Sequence, residues 1–247
     1  MSNVRRQNPL VFNPTCTFMN KLLCGLLAIA ALLLGGCATK LKMPLQNEGD
    51  QVSVASKSLY LMAVTVENPY KDHFAPTLNT INVVRDDGPA KADPMIFAVD
   101  SKGTYVPEED SNVRPKYLIR MELAPGKYTI RGFAGSGRAF PIQFTFFAPL
   151  HSPVTSGAPG VYYLGAVDAA IRQRTGTEFK AGSSIPLIDQ AVAGMSTGTF
   201  DIVITDRYND DVALFRKVFP ALERVDIQRS VLPPFDRQRA QRYWEEN

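Results

Sequence analysis

The chain has 247 residues, 45% hydrophobic and 21% charged, with 27 Lys+Arg against 24 Asp+Glu. The small basic excess comes from Arg5, Arg6 and Lys21 near the amino terminus; the remainder is balanced, and composition gives nucleic-acid binding no support. Its three cysteines, Cys16, Cys24 and Cys37, all precede residue 38, which excludes a disulfide framework or a thiolate metal site further on.

Residues 1–18 are polar and include Pro9 and Pro14, so Met19-Asn20-Lys21 is an alternative start. An apolar run over residues 22–36 follows, too short for the roughly 20 residues of a spanning helix. It closes on Leu34-Gly35-Gly36-Cys37. A basic start, an apolar core and small residues before a cut site make a secretory signal rather than a fold element. Because it ends on cysteine, the stretch from Met19 to Thr39 resembles the lipobox of bacterial lipoproteins. The resemblance implies removal of residues 1–36 and lipidation of Cys37, whose two or three acyl chains hold the membrane at about 0.8 kcal/mol per methylene. Ala38 in the next position resembles cargo released to the outer membrane of enterobacteria, implying a periplasm-facing outer-membrane protein. The competing readings are an ordinary cleaved signal with an incidental cysteine and a twin-arginine signal at Arg5-Arg6, which lies far from the apolar run.

Residues 37–57, with Lys40, Lys42, Glu48 and Asp50, show no periodicity and are expected to form a flexible tether reaching about 25 Å. A β-sandwich domain is expected over residues 58–232. Tyr117, Ile119, Met121 and Leu123 alternate with Arg120 and Glu122; Ile142, Phe144 and Phe146 alternate with Gln143 and Thr145; Phe200, Ile202 and Ile204 alternate with Asp201 and Thr205. Period two of this kind marks half-buried antiparallel strands. Residues 59–66, 81–84, 95–99 and 161–167 are apolar on both faces, as central strands are. Turn signals stand at Asp86-Asp87-Gly88-Pro89, Pro125-Gly126 and Gly135-Ser136-Gly137. An antiparallel two-sheet β-sandwich follows. Pro125-Gly126 favours turn types that mismatch a tight hairpin, so it is expected to arch between the sheets. The segment Leu123-Ala-Pro-Gly-Lys-Tyr-Thr-Ile130 resembles the strand–turn–strand signature of transthyretin-like and carboxypeptidase-regulatory-like sandwiches. Gly160-Val-Tyr-Tyr-Leu-Gly165 is similar to a motif of small lipoproteins built on them. The resemblance implies a fold and no activity.

One short amphipathic helix is predicted near the C-terminus. Asn209 is its expected cap, Asp210 and Asp211 suit its N-terminus, and Val212, Phe215, Phe219 and Leu222 form its apolar stripe. Pro220 disturbs its end, a strand is expected over residues 225–231, and Pro233-Pro234 precedes a charged segment, residues 233–247. Residues 185–195 read equally as a short helix or a buried loop.

Five constellations invite chemistry. Gly194-Met195-Ser196-Thr197-Gly198 matches the nucleophile-elbow pattern, but a strand follows where the elbow needs a helix, and both histidines, His73 and His151, precede it; a turn into a strand is the better account. The same histidines are expected to be exposed loop residues rather than metal ligands, with His151 in a proline-bearing loop over residues 148–160. Asp206, Asn209, Asp210 and Asp211 suggest calcium but lack the EF-hand spacing, and helix capping accounts for them. The glycine-rich stretch from Gly132 to Gly137 lacks the following helix of a phosphate cradle and reads as a hairpin loop. Glu108-Glu109-Asp110 reads as a solvated run, since glycosidase carboxylates stand apart across the substrate.

The C-terminal mixture of Arg237, Arg239 and Arg242 with Phe235, Tyr243 and Trp244 suits either an anionic surface or packing on its own domain, with packing favoured. The function expected is a non-enzymatic binding or scaffold module, held to the membrane by acyl chains, with an envelope protein or glycan as partner. No catalytic, metal or cofactor residue is assigned. An envelope-polymer hydrolase with a loop-assembled site and an accessory subunit of a secretion or surface-assembly complex are the alternatives.

Overall fold

Period-two patterning produces two face-to-face sheets that bury their shared side. The computed structural model describes residues 40–88, 94–107, 114–183 and 190–246. Cys37 with its signal, Glu108-Glu109-Asp110 and residues 184–189 lie outside the described residues. Strands β1 (Lys40–Lys42), β3 (Thr77–Arg85), β4 (Met95–Ala98), β7 (Gly126–Ala139) and β8 (Ile142–Ser156) form one sheet in the order β1-β4-β3-β7-β8. Strands β2 (Ser58–Glu67), β5 (Thr104–Tyr105), β6 (Lys116–Leu123), β9 (Val161–Gln173) and β10 (Gly198–Thr205) form the other as β10-β9-β2-β6-β5, with β11 (Ile227–Arg229) paired to β9.

Most pairings are antiparallel as expected, but both sheets are mixed. β1–β4, β2–β9 and β11–β9 run parallel. A parallel pair needs a long crossover, and β2 reaches β9 only after the chain has built most of the opposite sheet. The two-sided apolar runs β2 and β9 are adjacent central strands, buried on both faces. The Pro125-Gly126 turn passes from β6 in one sheet to β7 in the other, as its turn chemistry predicts. Tyr128 and Ser156 brace it by donating hydroxyl bonds to the Ala124 and Leu123 carbonyls. In the Tyr-Tyr-Leu-Gly stretch of β9, Gly165 adopts φ +106° where β9 carries one extra residue opposite β2, a bulge that suits glycine.

A further layer covers the outer face of the β2 sheet, and it corrects two expectations. Residues from Lys40 on belong to the domain and are not a tether: β1 pairs with β4, Met43 and Leu45 are 2% and 3% exposed, and Val52 and Val54 pack against the same layer. Arg120, expected on a wet face, is 0% exposed because this layer lies over it. Its Nε donates to the Pro44 carbonyl at 2.8 Å, Nη1 donates to the Leu118 carbonyl at 2.7 Å, and Nη2 pairs with Asp100. The guanidinium carbon lies 4.2 Å from the centre of the Phe219 ring.

Helix α1 (Tyr208–Val218) completes the layer with the stripe Val212, Phe215, Phe219 and Leu222 buried, each side chain contributing about 1.5–3 kcal/mol. Its cap is Arg207 rather than Asn209, and Asp206 accepts the Tyr208 N–H at 3.1 Å. Pro220 starts a 3-10 turn, Pro220–Leu222. The predicted later strand shortens to β11, and the C-terminal segment forms a second helix, α2 (Arg237–Glu246), beyond the one predicted.

Helix α2 is fastened to the β-sandwich. Ala240 is buried, and the Gln241 amide accepts from Phe179 N–H and donates to the Thr177 carbonyl. Arg237 and Arg172 share Glu178 and Asp201 in a four-membered ionic network at 2.5–3.2 Å. The Arg172 hydrogen bond, first among several, holds the Glu178 carboxyl at about 2. Packing is thus the observed fate of this segment.

Candidate functional site

The most unusual residue of the described structure is His151. Its segment was expected to be an exposed loop, yet it runs inside β8, and the imidazole is 5% exposed. Pro149 and Pro153 are tolerated there because β8 is an edge strand, where a missing N–H breaks no ladder. Between the pairs Ile130–Ser152 and Gly132–Pro149 the register slips, so Leu150 and His151 together oppose Arg131. His151 takes φ +48° in this bulge, a left-handed conformation uncommon for a residue with a side chain. Such geometry costs about 1–3 kcal/mol and concentrates at sites where a bulge re-aims a side chain.

The imidazole meets the Tyr243 ring of α2 at 4.2 Å between centroids, and its Nε2 is buried without a hydrogen-bond partner. Burial first, then the charges of Arg239 and Arg131, lower its pKa to about 4, so the ring is neutral at physiological pH. An orphaned buried nitrogen costs about 1–3 kcal/mol, so a partner from outside would be favourable.

Beside it a cleft of about 420 Å³ opens between α2 and the outer face of the β3-β7-β8 ladder. Arg131, Arg239 and Arg242 line it with His151 and Tyr243, and so do the acids Asp86 and Glu246. Strand alternation aims Arg131 outward, since its neighbour Ile130 points into the core. Helical spacing brings Arg239 and Arg242 to one side of α2. Arg131 lies 5.5 Å from the Tyr243 ring centre, a cation–π distance. Among the described residues none of the three guanidiniums has a carboxylate within 4.0 Å, which also holds for Arg114, Arg138, Arg174, Arg216 and Arg224, whereas Arg85, Arg120, Arg172, Arg207, Arg229 and Arg237 have one; what sets the three apart is that they gather at one opening. Asp86 is occupied by the Thr129 hydroxyl at 2.9 Å. On the other flank of α2, Phe147, Pro149, Phe179, Ala240 and Trp244 line an apolar groove of about 430 Å³.

The other constellations separate. His73 is exposed and lies edge-on to Phe74, as expected of a loop histidine. Gly194 to Gly198 is a turn into β10. Gly132 to Gly137 is neither a cradle nor a hairpin loop but the middle of β7, and the hairpin turn falls at Phe140-Pro141. Gly135 and Gly137 face Phe146 and Phe144 across the ladder, and a Cβ on either would overlap the opposing ring. Asp211 is fully buried, accepting from Tyr163 Oη at 2.6 Å and Lys116 Nζ at 3.1 Å, while Asp206 pairs with Arg229 at 3.3 Å. These carboxylates hold α1 in place, and no cluster of metal-ligating residues occurs among the described residues. No helix among them is long and apolar enough to cross a membrane.

Of the cleft, the sequence points to His151, Arg239, Arg242 and Tyr243 separately, offers Asp86 only as a turn residue and Thr129 only within a strand–turn–strand signature, and gives no sign of Arg131. No family model, no curated protein and no solved structure matches this chain.

Proposed function

We propose that this protein is a membrane-anchored envelope lipoprotein, acylated at Cys37, whose sandwich is a non-enzymatic binding or scaffold module for an anionic partner. The observation that carries the binding half is the cleft: three arginines with no carboxylate within 4.0 Å among the described residues, beside a buried imidazole with an orphaned nitrogen. Uncompensated guanidiniums around one opening are arranged to take a negative group from outside. The anchoring half rests on the lipobox that closes on Cys37. Outer-membrane residence facing the periplasm goes with Ala38.

A hydrolase acting on envelope polymer is the second reading, favoured by one observation: the cleft unites His151 with two acids, Asp86 and Glu246. Against it, Asp86 is bonded to Thr129, and the charges that dominate at His151 are cationic.

Two measurements test the proposal. Intact mass of the protein from growing bacteria should show a mature chain starting at a lipid-modified Cys37, and Cys37→Ala should leave it unprocessed or soluble. A product without fatty chains overturns the anchor. Retention of the detergent-purified protein on immobilised dextran sulfate should fall at least about tenfold in Arg131→Gln/Arg242→Gln, the loss of two charge-assisted contacts. Unchanged retention overturns the binding site.

A further inference from the structure

We propose that the cleft binds a phosphate monoester group, with Arg131, Arg239 and Arg242 as its ligands and His151 as a proton-linked partner of the occupied site. The inference rests on the reading of the cleft as an anion site and names its ligand. Planar guanidinium forks pair bidentately with oxyanions, and three of them suit a dianion with three terminal oxygens better than a two-oxygen carboxylate. A phosphate monoester carries close to two negative charges near neutrality, against one for a carboxylate. The cleft volume leaves room beside the phosphate for the group it esterifies.

The charges facing His151 explain why occupancy and protonation are linked. From β7 comes Arg131, from α2 come Arg239, Arg242, Tyr243 and Glu246, and from the turn after β3 comes Asp86 beside Thr129. Arg239 and Arg131 oppose a proton on the ring. A bound dianion cancels that field, so the imidazole becomes more basic and proton and phosphate binding favour each other.

Topology adds where such a group is met. Lys40 lies in one row with Ile96, Asn82 and Gly132, and β1 runs antiparallel to β3. The N-terminal end of β1 therefore points toward the end of the sheet where β3 finishes at Arg85 and β7 begins at Gly126. Val84, Asp86, Thr129 and Arg131 line the cleft at that end. The opposite end carries the β7–β8 turn with Phe140, 94% exposed and about 26 Å along the strand from Gly132. The start of β1 and the cleft thus share one end of the sandwich, and at the cleft a lipid headgroup or a phosphorylated solute would supply the same chemistry.

The chain has two histidines, which makes the test direct. Full-length protein labelled at histidine Cε1 and held in neutral detergent is titrated with inorganic phosphate, with exposed His73 as the internal control. The His151 resonance should move saturably and its midpoint rise by about one pH unit or more, while that of His73 stays. Arg131→Gln/Arg242→Gln should abolish both effects; if that variant misfolds, Arg242→Gln alone, on the exposed side of α2, should weaken them. No selective movement of His151, or equal movement in the variants, overturns the proposal. Persisting dextran-sulfate retention would then leave an anion site of another chemistry, and the intact mass reports on the anchor independently. Two vesicle arms separate the sources, phosphatidylcholine alone and phosphatidylcholine with phosphatidate. Movement of His151 only with phosphatidate assigns a lipid headgroup; movement with inorganic phosphate but neither vesicle assigns a soluble phosphorylated ligand.

Discussion

The two sheets each bury a polar cluster, and the clusters differ in whether they are complete. Under the layer of residues 43–54 and α1, Arg120 meets the Pro44 and Leu118 carbonyls, the Asp100 carboxylate and the face of Phe219. Beside α2, His151 is nearly as buried, but its Nε2 has no partner and, among the described residues, the nearby arginines have no carboxylate within 4.0 Å. A buried charge with each of its nitrogens hydrogen-bonded ties elements together; the desolvation cost is offset inside the molecule. A buried polar atom without a partner leaves that cost standing, to be offset by an ordered water or by a bound ligand. Equal burial therefore carries opposite meanings in the two places.

The largest effect should come from breaking the complete cluster. Asp100→Ala strands the Arg120 guanidinium without a counter-charge and also removes the acceptor of the Gly103 N–H at 2.7 Å. A loss of about 3–5 kcal/mol is expected in chemical denaturation. Arg120→Met should cost less, because Asp100 is 17% exposed and rehydrates. The reverse order would mean that Arg120 holds the covering layer by packing rather than by charge.

The open cluster should show itself through pH. His151 titrates at about 4 when folded against 6.5 for a free imidazole. Between these values the unfolded chain takes up a proton that the native one refuses, so stability falls as pH drops from 6.5 to 4 and the slope vanishes below 4. The full interval corresponds to about 3 kcal/mol. His151→Asn, which tolerates the left-handed backbone, should flatten this part of the profile in thermal melts. Glu178, held at about 2, contributes in a separate window: its stabilisation is complete above 4.5 and lost as pH falls toward 2. A wild-type slope between 4 and 6.5 that survives in His151→Asn would show that the ring is not what titrates.

What the sequence made legible divides along the same line. The two-sided runs in β2 and β9, the alternation in β8 and β10 and the stripe of α1 are local periodicities, and each predicts its burial. The Pro125-Gly126 arch is local turn chemistry and was equally readable. The failures need distant information. β8 was read as a loop at Pro149 and His151 because its position at a sheet edge, which excuses proline, is a fact about β7. The glycines of β7 signalled a turn because the rings that require them belong to β8. Arg120 was placed in solvent because nothing in β6 announces the layer above it. The cleft joins residues 86, 131, 151 and 239–246, a separation that no spacing rule spans.

The smallest expected effect decides most directly between a structural and a binding cleft. Arg131→Gln/Arg242→Gln removes two cations that touch no carboxylate, so no buried pair is broken. Arg131 gives up its contact with the Tyr243 ring, about 0.5–1 kcal/mol, while relief of repulsion around His151 works in the opposite direction. Net stability should stay within about 0.5 kcal/mol of wild type, as for surface substitutions away from structural features. The unliganded His151 midpoint should meanwhile rise, since Arg131 is one of the charges that lower it. If instead the variant loses several kcal/mol, the arginines hold α2 in place. The contrast between a finished cluster and an open one would then collapse into two structural clusters.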